Sequence, residues 1–303
     1  MTTFLKKLFN VASYLLRHPL TKDKFFGAYK AFLRWQLGVR LVDRKTIHNW
    51  IDESRLICGR GETGITGNIY AGLAEFEEMT FLMHTLSRED TFVDIGANSG
   101  AYTVLASKVV GAYTMAYEPS PTAVLRLTDN ILINNISKLV SINQKAVGAS
   151  IGKLYMTVDG DTTNRICDPR ETTNYLEVDV TSLDTQLVGE RTYFIKIDVE
   201  GYEGSVIKGA ESLLRTDKVK ALIVEINGGG LEYSYTNENL HMMIRDFGFS
   251  PISYDPYKRV IKEITSYNIE RQNTIYVRDL ELMRRRAECG ARRKVHGFTR
   301  GLI

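Results

Sequence analysis

The sequence of 303 residues is poor in cysteine and has no long apolar run. Its three cysteines, Cys58, Cys167 and Cys289, form no C-x-x-C pair, and their odd number argues against a disulfide framework. Sparse cysteine suits a reducing compartment, so a cytoplasmic location is expected. No stretch approaches the roughly 20 apolar residues that a membrane-spanning helix needs. These absences disfavour a disulfide-rich secreted domain and an integral membrane protein.

Several nucleotide-binding and catalytic motifs are also missing. The G-x-G-x-x-G dinucleotide fingerprint is absent, because Asn98 and Ser99 break the glycine spacing after Gly96. The nearest approach to a Walker loop, at residues 148–154, is one residue short and has Leu154 where a hydroxyl is needed. There is no Pro-Cys pair for methylation of cytosine carbon and no H-x-x-x-H pair for a metal. The sequence therefore disfavours a dinucleotide enzyme and a P-loop NTPase.

Basic residues are concentrated at the two ends of the chain. Residues 1–45 contain ten Lys and Arg against two Asp, and residues 281–303 contain seven against two Glu. Apolar residues within 1–18 repeat at helical spacing, which predicts a helix packed on the main domain, with peripheral membrane contact as the alternative. A nucleic-acid partner is disfavoured, because the C-terminal segment has no interleaved aromatic residues to stack on bases.

Strands and helices alternate from residue 91 onwards. The segments TFVDI, YFIKI and ALIVEI are almost continuously apolar, as expected for strands buried on both faces of a parallel sheet. This alternation predicts an α/β fold with helices on both faces of a mostly parallel sheet. We predict an N-terminal helical extension over residues 1–64, a cofactor-binding domain over 65–280 and a basic tail over 281–303.

The first strand of this core ends in a glycine-containing turn, DIGANSG. Gly96 and Gly100 allow the backbone to turn tightly and to approach a ligand closely. Glu118 follows the second strand, where nucleotide-binding folds place an acid on the ribose hydroxyls. S-adenosylmethionine has a ribose and, at its other end, an ammonium and a sulfonium that favour a carboxylate such as Asp94 beside the turn. The pattern therefore predicts S-adenosylmethionine as the cofactor.

Four segments resemble the FkbM family of S-adenosylmethionine-dependent methyltransferases: FVDIGANSGAYT, AYEPSP, FIKIDVEGYEGSVIKGAESLL and LIVEI, in the family's order. The resemblance covers about residues 65 to 280. It implies a Rossmann-like class I methyltransferase fold with seven strands, of which the last is antiparallel, and with the cofactor at the end of the first strand. It also implies O-methylation as the usual activity, often of hydroxyls on sugars or polyketide-type metabolites.

The resemblance also implies which residues bind the cofactor. The turn after the first strand and the start of the next helix contact the methionine moiety, and the acid after the second strand binds the ribose. A glutamate before the first strand lies near the cofactor amine, with a surface acid as the alternative, and the end of the third strand lies at the height of the adenine. These residues are Asp94, Gly96, Ala97, Asn98, Gly100, Tyr102, Thr103, Glu118, Glu75, Lys145 and Ala146.

The fourth strand carries three charged residues toward the methyl-transfer end. Lys196, Asp198 and Glu200 alternate onto one face if the strand persists that far. Transfer to a hydroxyl needs a group that removes its proton, and Asp198 is our first candidate for this base or for orienting the substrate. Lys196 would lower the pKa of Asp198, although a purely structural ion pair is the alternative. The sequence assigns no metal ligands and leaves the use of a divalent metal open, because Asp198 and Glu200 could hold magnesium only with ligands from other segments.

The sequence therefore predicts a cytoplasmic S-adenosylmethionine-dependent O-methyltransferase. The methyl group is expected to go to a hydroxyl of a sugar, glycan or secondary metabolite. The expected partner is therefore a small molecule or a glycan. Two alternatives stay open: a nucleic-acid methyltransferase, supported by the basic ends, and an inactive module that binds a cofactor or a partner. Asn227, after the fifth strand, is predicted to face the acceptor.

Overall fold

The structure is a computed structural model that describes residues 2–42, 44–59, 61–158, 164–170, 172–187, 189–226, 235–298 and 303. Its helices are α1 (Thr2–Arg17), α2 (Phe25–Val42), α3 (Thr63–Ala71), α4 (Phe76–Thr85), α5 (Ala101–Val104), α6 (Pro121–Ile133), α7 (Leu183–Gln186), α8 (Glu203–Lys208), α9 (Glu211–Leu214), α10 (Asn237–Asp246) and α11 (Leu280–Cys289). Its strands are β1 (Thr46–Asn49), β2 (Arg55–Cys58), β3 (Thr91–Ile95), β4 (Tyr113–Tyr117), β5 (Val140–Asn143), β6 (Ala146–Val147), β7 (Gly152–Thr157), β8 (Tyr175–Thr181), β9 (Tyr193–Ile197), β10 (Val219–Glu225), β11 (Ser250–Asp255), β12 (Val260–Glu263) and β13 (Asn273–Val277).

The central sheet has the strand order β12-β11-β13-β10-β9-β3-β4-β5. The five strands from β10 to β5 are parallel to their neighbours, whereas β13 is antiparallel to both β10 and β11. This is the class I methyltransferase arrangement, so the predicted fold class is confirmed. The sheet has eight strands instead of the predicted seven. The additional strand, β12, was missed because only Ile261 of its four residues is buried, which leaves almost no apolar pattern.

Apolar side chains pack on both faces of this sheet. Every residue of β3 and β9 is buried, and successive side chains point to opposite faces. Phe92 packs on the face covered by α4, α6 and α11, whereas the next residue, Val93, packs on the face covered by α8, α9 and α10. Complete burial of each such side chain contributes about 1.5–3 kcal/mol to folding. The rigid sheet holds the carboxyl ends of its central strands in a fixed arrangement.

The N-terminal segment is only partly helical. α1 and α2 pack together through Leu15 and Ala28, as predicted for a helical extension. Residues 46–58, however, form an antiparallel hairpin in which β1 pairs with β2. Among the described residues no helix is both long enough and apolar enough to cross a bilayer. Contact of residues 1–18 with a membrane surface stays a prediction.

The C-terminal segment, predicted as a basic tail, packs on the core in its described part. Met283 and Ala287 of α11 are buried, and the guanidinium of Arg286 lies 2.5 Å from the carboxylate of Asp90. Ile303 is also buried in the main core. Met283 and Ala287 are spaced one helical turn apart, but most residues around them are charged. Composition alone therefore suggested a solvated tail.

The buried acid Glu78 on α4 generates a testable prediction about stability. Burial raises its pKa to about 8, and the neighbouring Glu75 adds to the rise. Because an unfolded glutamate titrates near 4.5, only the folded chain keeps this proton between about pH 4.5 and 8. The free energy of unfolding should therefore fall with rising pH in that window, by about 1.4 kcal/mol per pH unit from this group.

The Glu78→Gln variant cannot lose this proton, so we expect its free energy of unfolding to fall less steeply with pH. Urea denaturation of both proteins at about pH 5.5, about 6.5 and about 7.5 measures the two slopes. Parallel slopes for the variant and the unmutated chain would show that Glu78 is already ionised in the folded state.

Candidate active site

A cavity of about 420 Å³ lies at the carboxyl ends of β3, β4, β9 and β10. This is the size of a typical small-molecule site, and it is at the edge where open parallel sheets bind ligands. Thirteen of the fourteen predicted site residues line it: Glu75, Asp94, Gly96, Ala97, Asn98, Gly100, Tyr102, Glu118, Lys145, Ala146, Lys196, Asp198 and Glu200. The remaining residue, Thr103, is fully buried behind the wall.

The turn after β3 has an unusual backbone. Gly96, Asn98 and Gly100 have φ values of +78°, +47° and +85°, in the left-handed region that glycine and asparagine tolerate best. The backbone N–H groups of Gly96 and Ala97 donate hydrogen bonds to the carbonyl of Tyr117, at 3.0 and 3.1 Å. The turn is therefore attached to the end of β4, and its open side faces the cavity.

Glu118 lies directly after β4 and supports the same turn. Its two carboxylate oxygens accept hydrogen bonds of 2.8 Å from the backbone N–H groups of Asn98 and Ser120. Ser120 is also the N-cap of α6, and Pro121 begins that helix, which fixes the chain immediately after the acid. Burial raises the pKa of Glu118 to about 7, although both hydrogen bonds oppose the rise. Glu118 is thus a preorganised acceptor at the cavity wall.

Asp94, Thr103 and Lys196 form a buried polar group beneath the turn. Asp94 of β3 and Lys196 of β9 are register partners on parallel strands. The hydroxyl of Thr103 donates a hydrogen bond of 2.7 Å to Asp94 Oδ2. Burial raises the pKa of Asp94, and the nearby Lys196 ammonium limits that rise. Thr103 therefore contacts Asp94 instead of the cavity.

Glu75 and Tyr102 form a second wall of the cavity. The hydroxyl of Tyr102 donates a hydrogen bond of 2.5 Å to Glu75 Oε2. The ammonium of Lys196 lies over the ring of Tyr102, 4.7 Å from its centroid. Of the two alternatives raised for Glu75, the structure therefore places it in the cavity and not on an outer helix surface.

Lys196 and Asp198 form an ion pair at the end of β9. The distance from Lys196 Nζ to Asp198 Oδ2 is 2.5 Å, and the side chains are 4% and 28% exposed. Burial alone would raise the pKa of Asp198, but the adjacent ammonium lowers it below the usual value. The strand ends at Ile197, so Glu200 does not continue the alternation. It lies in a turn with φ of +53° and still lines the cavity.

Sequence reasoning missed one carboxylate of this site. Glu225, the last residue of β10, lines the cavity. Asp198, Glu200 and Glu225 each place an oxygen so that the three atoms lie within 4.8 Å of one another. Burial and the adjacent Asp198 raise the pKa of Glu225 to about 10 and that of Glu200 to about 7. Asp198 was predicted because it stands at the carboxyl end of a parallel strand, and Glu225 could have been found on the same ground. The predicted acceptor residue Asn227 lies outside the described residues.

Residues of the small sheet β6-β8-β7 and its loop also contribute to the wall. This three-stranded sheet follows β5, and its predicted hairpin is the antiparallel pair β7 and β8. The wall includes Met156, Asn164, Arg165 and Ile166. No sequence signal linked these residues to the glycine turn, because only the tertiary fold brings the two segments together.

The model of the methyltransferase FkbM domain matches residues 94–251, which is just over half of the chain. The chain belongs to the FkbM methyltransferase family. The matched domain is therefore a methyltransferase domain with S-adenosylmethionine as its cofactor, and the predicted family and cofactor are confirmed.

Among curated proteins, the hexuronic acid methyltransferase AglP of Haloferax volcanii is 25% identical over 167 residues, which are 51% of this chain and 63% of AglP. The ribosomal protein L11 methyltransferase of Bacillus cereus is 30% identical over 66 residues, which are 22% of this chain and 21% of that protein. The matched region is thus less than two thirds of either relative.

The chain is also similar to solved structures, among them the following two. P. horikoshii TYW2 in complex with MeSAdo has a TM-score of 0.37 and 13% identity, covering 78% of this chain and 73% of TYW2. The precorrin-6Y C5,15-methyltransferase of Geobacter metallireducens has a TM-score of 0.36 and 14% identity, covering 66% of this chain and 85% of the other.

The donor set in this FkbM-family cavity fits S-adenosylmethionine. Glu118 offers carboxylate oxygens where a ribose would be recognised, while Asp94 and Glu75 offer negative charge for an ammonium or sulfonium. Gly96 and Gly100 have no side chain, so the backbone of the turn can approach the ligand closely. The individual roles of these residues stay predictions.

Gly96 is also required by the packing of the site. A Cβ added there would lie 1.8 Å from the carbonyl oxygen of Asp198, and the backbone has a left-handed φ. We expect Gly96→Ala to reduce the free energy of unfolding by at least about 2 kcal/mol and to abolish cofactor binding. Chemical denaturation and calorimetric titration with S-adenosylmethionine measure the two effects.

The matched control is Gly152→Ala, because a Cβ at Gly152 would meet no atom within 4 Å. Its stability should stay within about 0.5 kcal/mol of the unmutated value. Equal stability and cofactor binding for Gly96→Ala and Gly152→Ala would contradict the close approach of the turn to β9.

Proposed function

We propose that this chain transfers the methyl group of S-adenosylmethionine to a hydroxyl of a sugar, glycan or secondary metabolite. The observation that carries this proposal is the position of Asp198, which is held ionised by Lys196 in the same cavity as the glycine turn and Glu118. An ionised carboxylate beside the cofactor turn can orient an acceptor hydroxyl, which must lose its proton during the reaction.

The protein's task follows from the chemistry of methyl transfer to oxygen. Bound S-adenosylmethionine supplies an electrophilic methyl group and leaves as a thioether, so the acceptor hydroxyl loses its proton as the new oxygen–carbon bond forms. Asp198 accepts a hydrogen bond from that hydroxyl and aligns its lone pair. The hydroxyl proton passes to the carboxylate of Asp198. Lys196 keeps Asp198 oriented through the 2.5 Å contact between Nζ and Oδ2.

Two observations support a polar acceptor with several hydroxyls. The cavity wall includes the polar side chains of Asn164, Arg165, Tyr202 and Gln272, in addition to the residues assigned to the cofactor. Closely placed polar groups suit a ligand rich in donors and acceptors. The relative AglP is a hexuronic acid methyltransferase, which favours a sugar among the acceptor classes.

The proposed ribose-binding role of Glu118 is tested by cofactor binding. Removing a charged acceptor of two hydrogen bonds should cost about 1.5–3 kcal/mol per bond. We therefore expect Glu118→Ala to weaken S-adenosylmethionine binding at least about tenfold in isothermal titration calorimetry. Because the same carboxylate supports Asn98 and Ser120, Glu118→Gln serves as a second variant that preserves the shape of the side chain.

An intermediate affinity is expected for Glu118→Gln, because the amide keeps one acceptor oxygen but loses the charge. Binding by both variants equal to that of the unmutated chain would exclude Glu118 from the cofactor site. Absence of binding by the unmutated chain would overturn the proposed function itself.

The role of Asp198 is tested by turnover. Asp198→Asn keeps the size of the side chain but removes its charge, so we expect methyl transfer to fall by at least about 100-fold. The measurement is transfer of radiolabelled methyl to a panel of sugars and nucleotide sugars, with cofactor binding measured in parallel. The exposed Asp179→Asn on β8 is the matched control. Unchanged turnover in Asp198→Asn would remove Asp198 from the reaction.

A further inference from the structure

Three carboxyl groups meet in the cavity at the ends of β9 and β10, close to a single lysine. Asp198, Glu200 and Glu225 place three carboxylate oxygens within 4.8 Å of one another. When ionised they carry three negative charges, and Lys196 supplies one positive charge through Asp198 Oδ2. The remaining two charges equal the charge of one divalent cation. Bringing carboxylates so close is unfavourable unless a cation or protons compensate them.

A second observation distinguishes this group from an ordinary acidic cluster. Glu225 is 7% exposed, and within the described part of the chain its Oε2 atom is buried without a hydrogen-bond partner. The amide oxygen of Asn273 is likewise buried and unpaired among the described residues. Glu225 and Asn273 are directly paired across β10 and β13, so their side chains share one face of the sheet. Two neighbouring buried oxygens therefore lack the donor that such atoms almost always have.

We propose that Asp198, Glu200 and Glu225 bind one divalent cation of the Mg²⁺ or Mn²⁺ type. The set consists entirely of carboxylate oxygens, which are the ligands that these hard cations prefer. The ligands come from the ends of two neighbouring strands and from the turn after β9, so the cation joins parts of the chain that are distant in sequence.

The cation gives the proposed methyl transfer a means to activate its acceptor, and this part of the inference rests on the proposed function. A cation bound to the three carboxylates would also coordinate an acceptor hydroxyl and lower its pKa. Binding of the cation itself does not depend on the identity of the acceptor.

The test is a titration of the full chain with Mn²⁺ after treatment with EDTA, without cofactor or acceptor. Electron paramagnetic resonance of free Mn²⁺ measures how much is bound. We expect about one ion per chain, displaced by excess Mg²⁺, and an affinity at least about tenfold weaker in Glu225→Gln, because even indirect changes around a metal cost about 10–100-fold. Glu211→Gln, at an exposed position of α9, is the matched control and should bind Mn²⁺ as the unmutated chain does.

Calorimetry with S-adenosylmethionine on the same preparations distinguishes the two proposals. Cofactor binding without Mn²⁺ binding in the unmutated chain would overturn the cation site and leave the proposed methyltransferase function intact. Equal Mn²⁺ affinity in Glu225→Gln and the unmutated chain would also overturn it. If the buried Glu225 substitution unfolds the chain, Glu200→Gln in the turn after β9 provides the same comparison, with the same expected loss.

Discussion

The site depends on one buried positive charge. The ammonium of Lys196 is almost completely removed from water, and a charge in that position is tolerated only when opposite charges surround it. Asp198 lies 2.5 Å away, and Asp94 is its register partner on β3. Tyr102 presents the face of its ring to the ammonium. Burial lowers the pKa of Lys196, but Asp198, Glu75 and Asp94 together raise it above its usual value, so the lysine remains charged.

This charge connects two regions with different tasks. Asp94 lies in β3 and Tyr102 in the following helix α5, where the cofactor is expected, whereas Asp198 and Glu200 follow β9, where the acceptor is expected. The end of β3 also contacts the chain just after β9 through backbone atoms, because Asp198 N–H donates to the carbonyl of Ile95 at 3.1 Å. Cofactor and acceptor groups are therefore held at a short, fixed separation, which is what methyl transfer requires.

Membership of the FkbM family and the arrangement of the carboxylates in the cavity explain different properties of the protein. The family accounts for the methyltransferase fold and the cofactor. The carboxylates of Asp198, Glu200 and Glu225 account for the preference that we propose for hydroxyl acceptors, since acidic groups accept hydrogen from oxygen nucleophiles. The turn after β9 is held in place by Glu203, whose carboxylate accepts the backbone N–H groups of Val199 and Gly201 at 3.1 Å.

Local sequence determined the parts of this protein that depend on neighbouring residues. Continuous apolar strands, a glycine turn and an acid after the second strand predicted the fold class and the cofactor. The resemblance to the FkbM family and the charged end of the fourth strand added most of the thirteen predicted residues of the cavity wall. Tertiary structure alone decided the rest, because it depends on contacts between distant segments. It placed Glu225 beside Asp198, brought Arg165 into the wall and turned Thr103 toward Asp94. It also buried Met283 and Ala287 of α11 in the core. These are two apolar residues in a highly charged segment, and only the folded chain shows what they pack against.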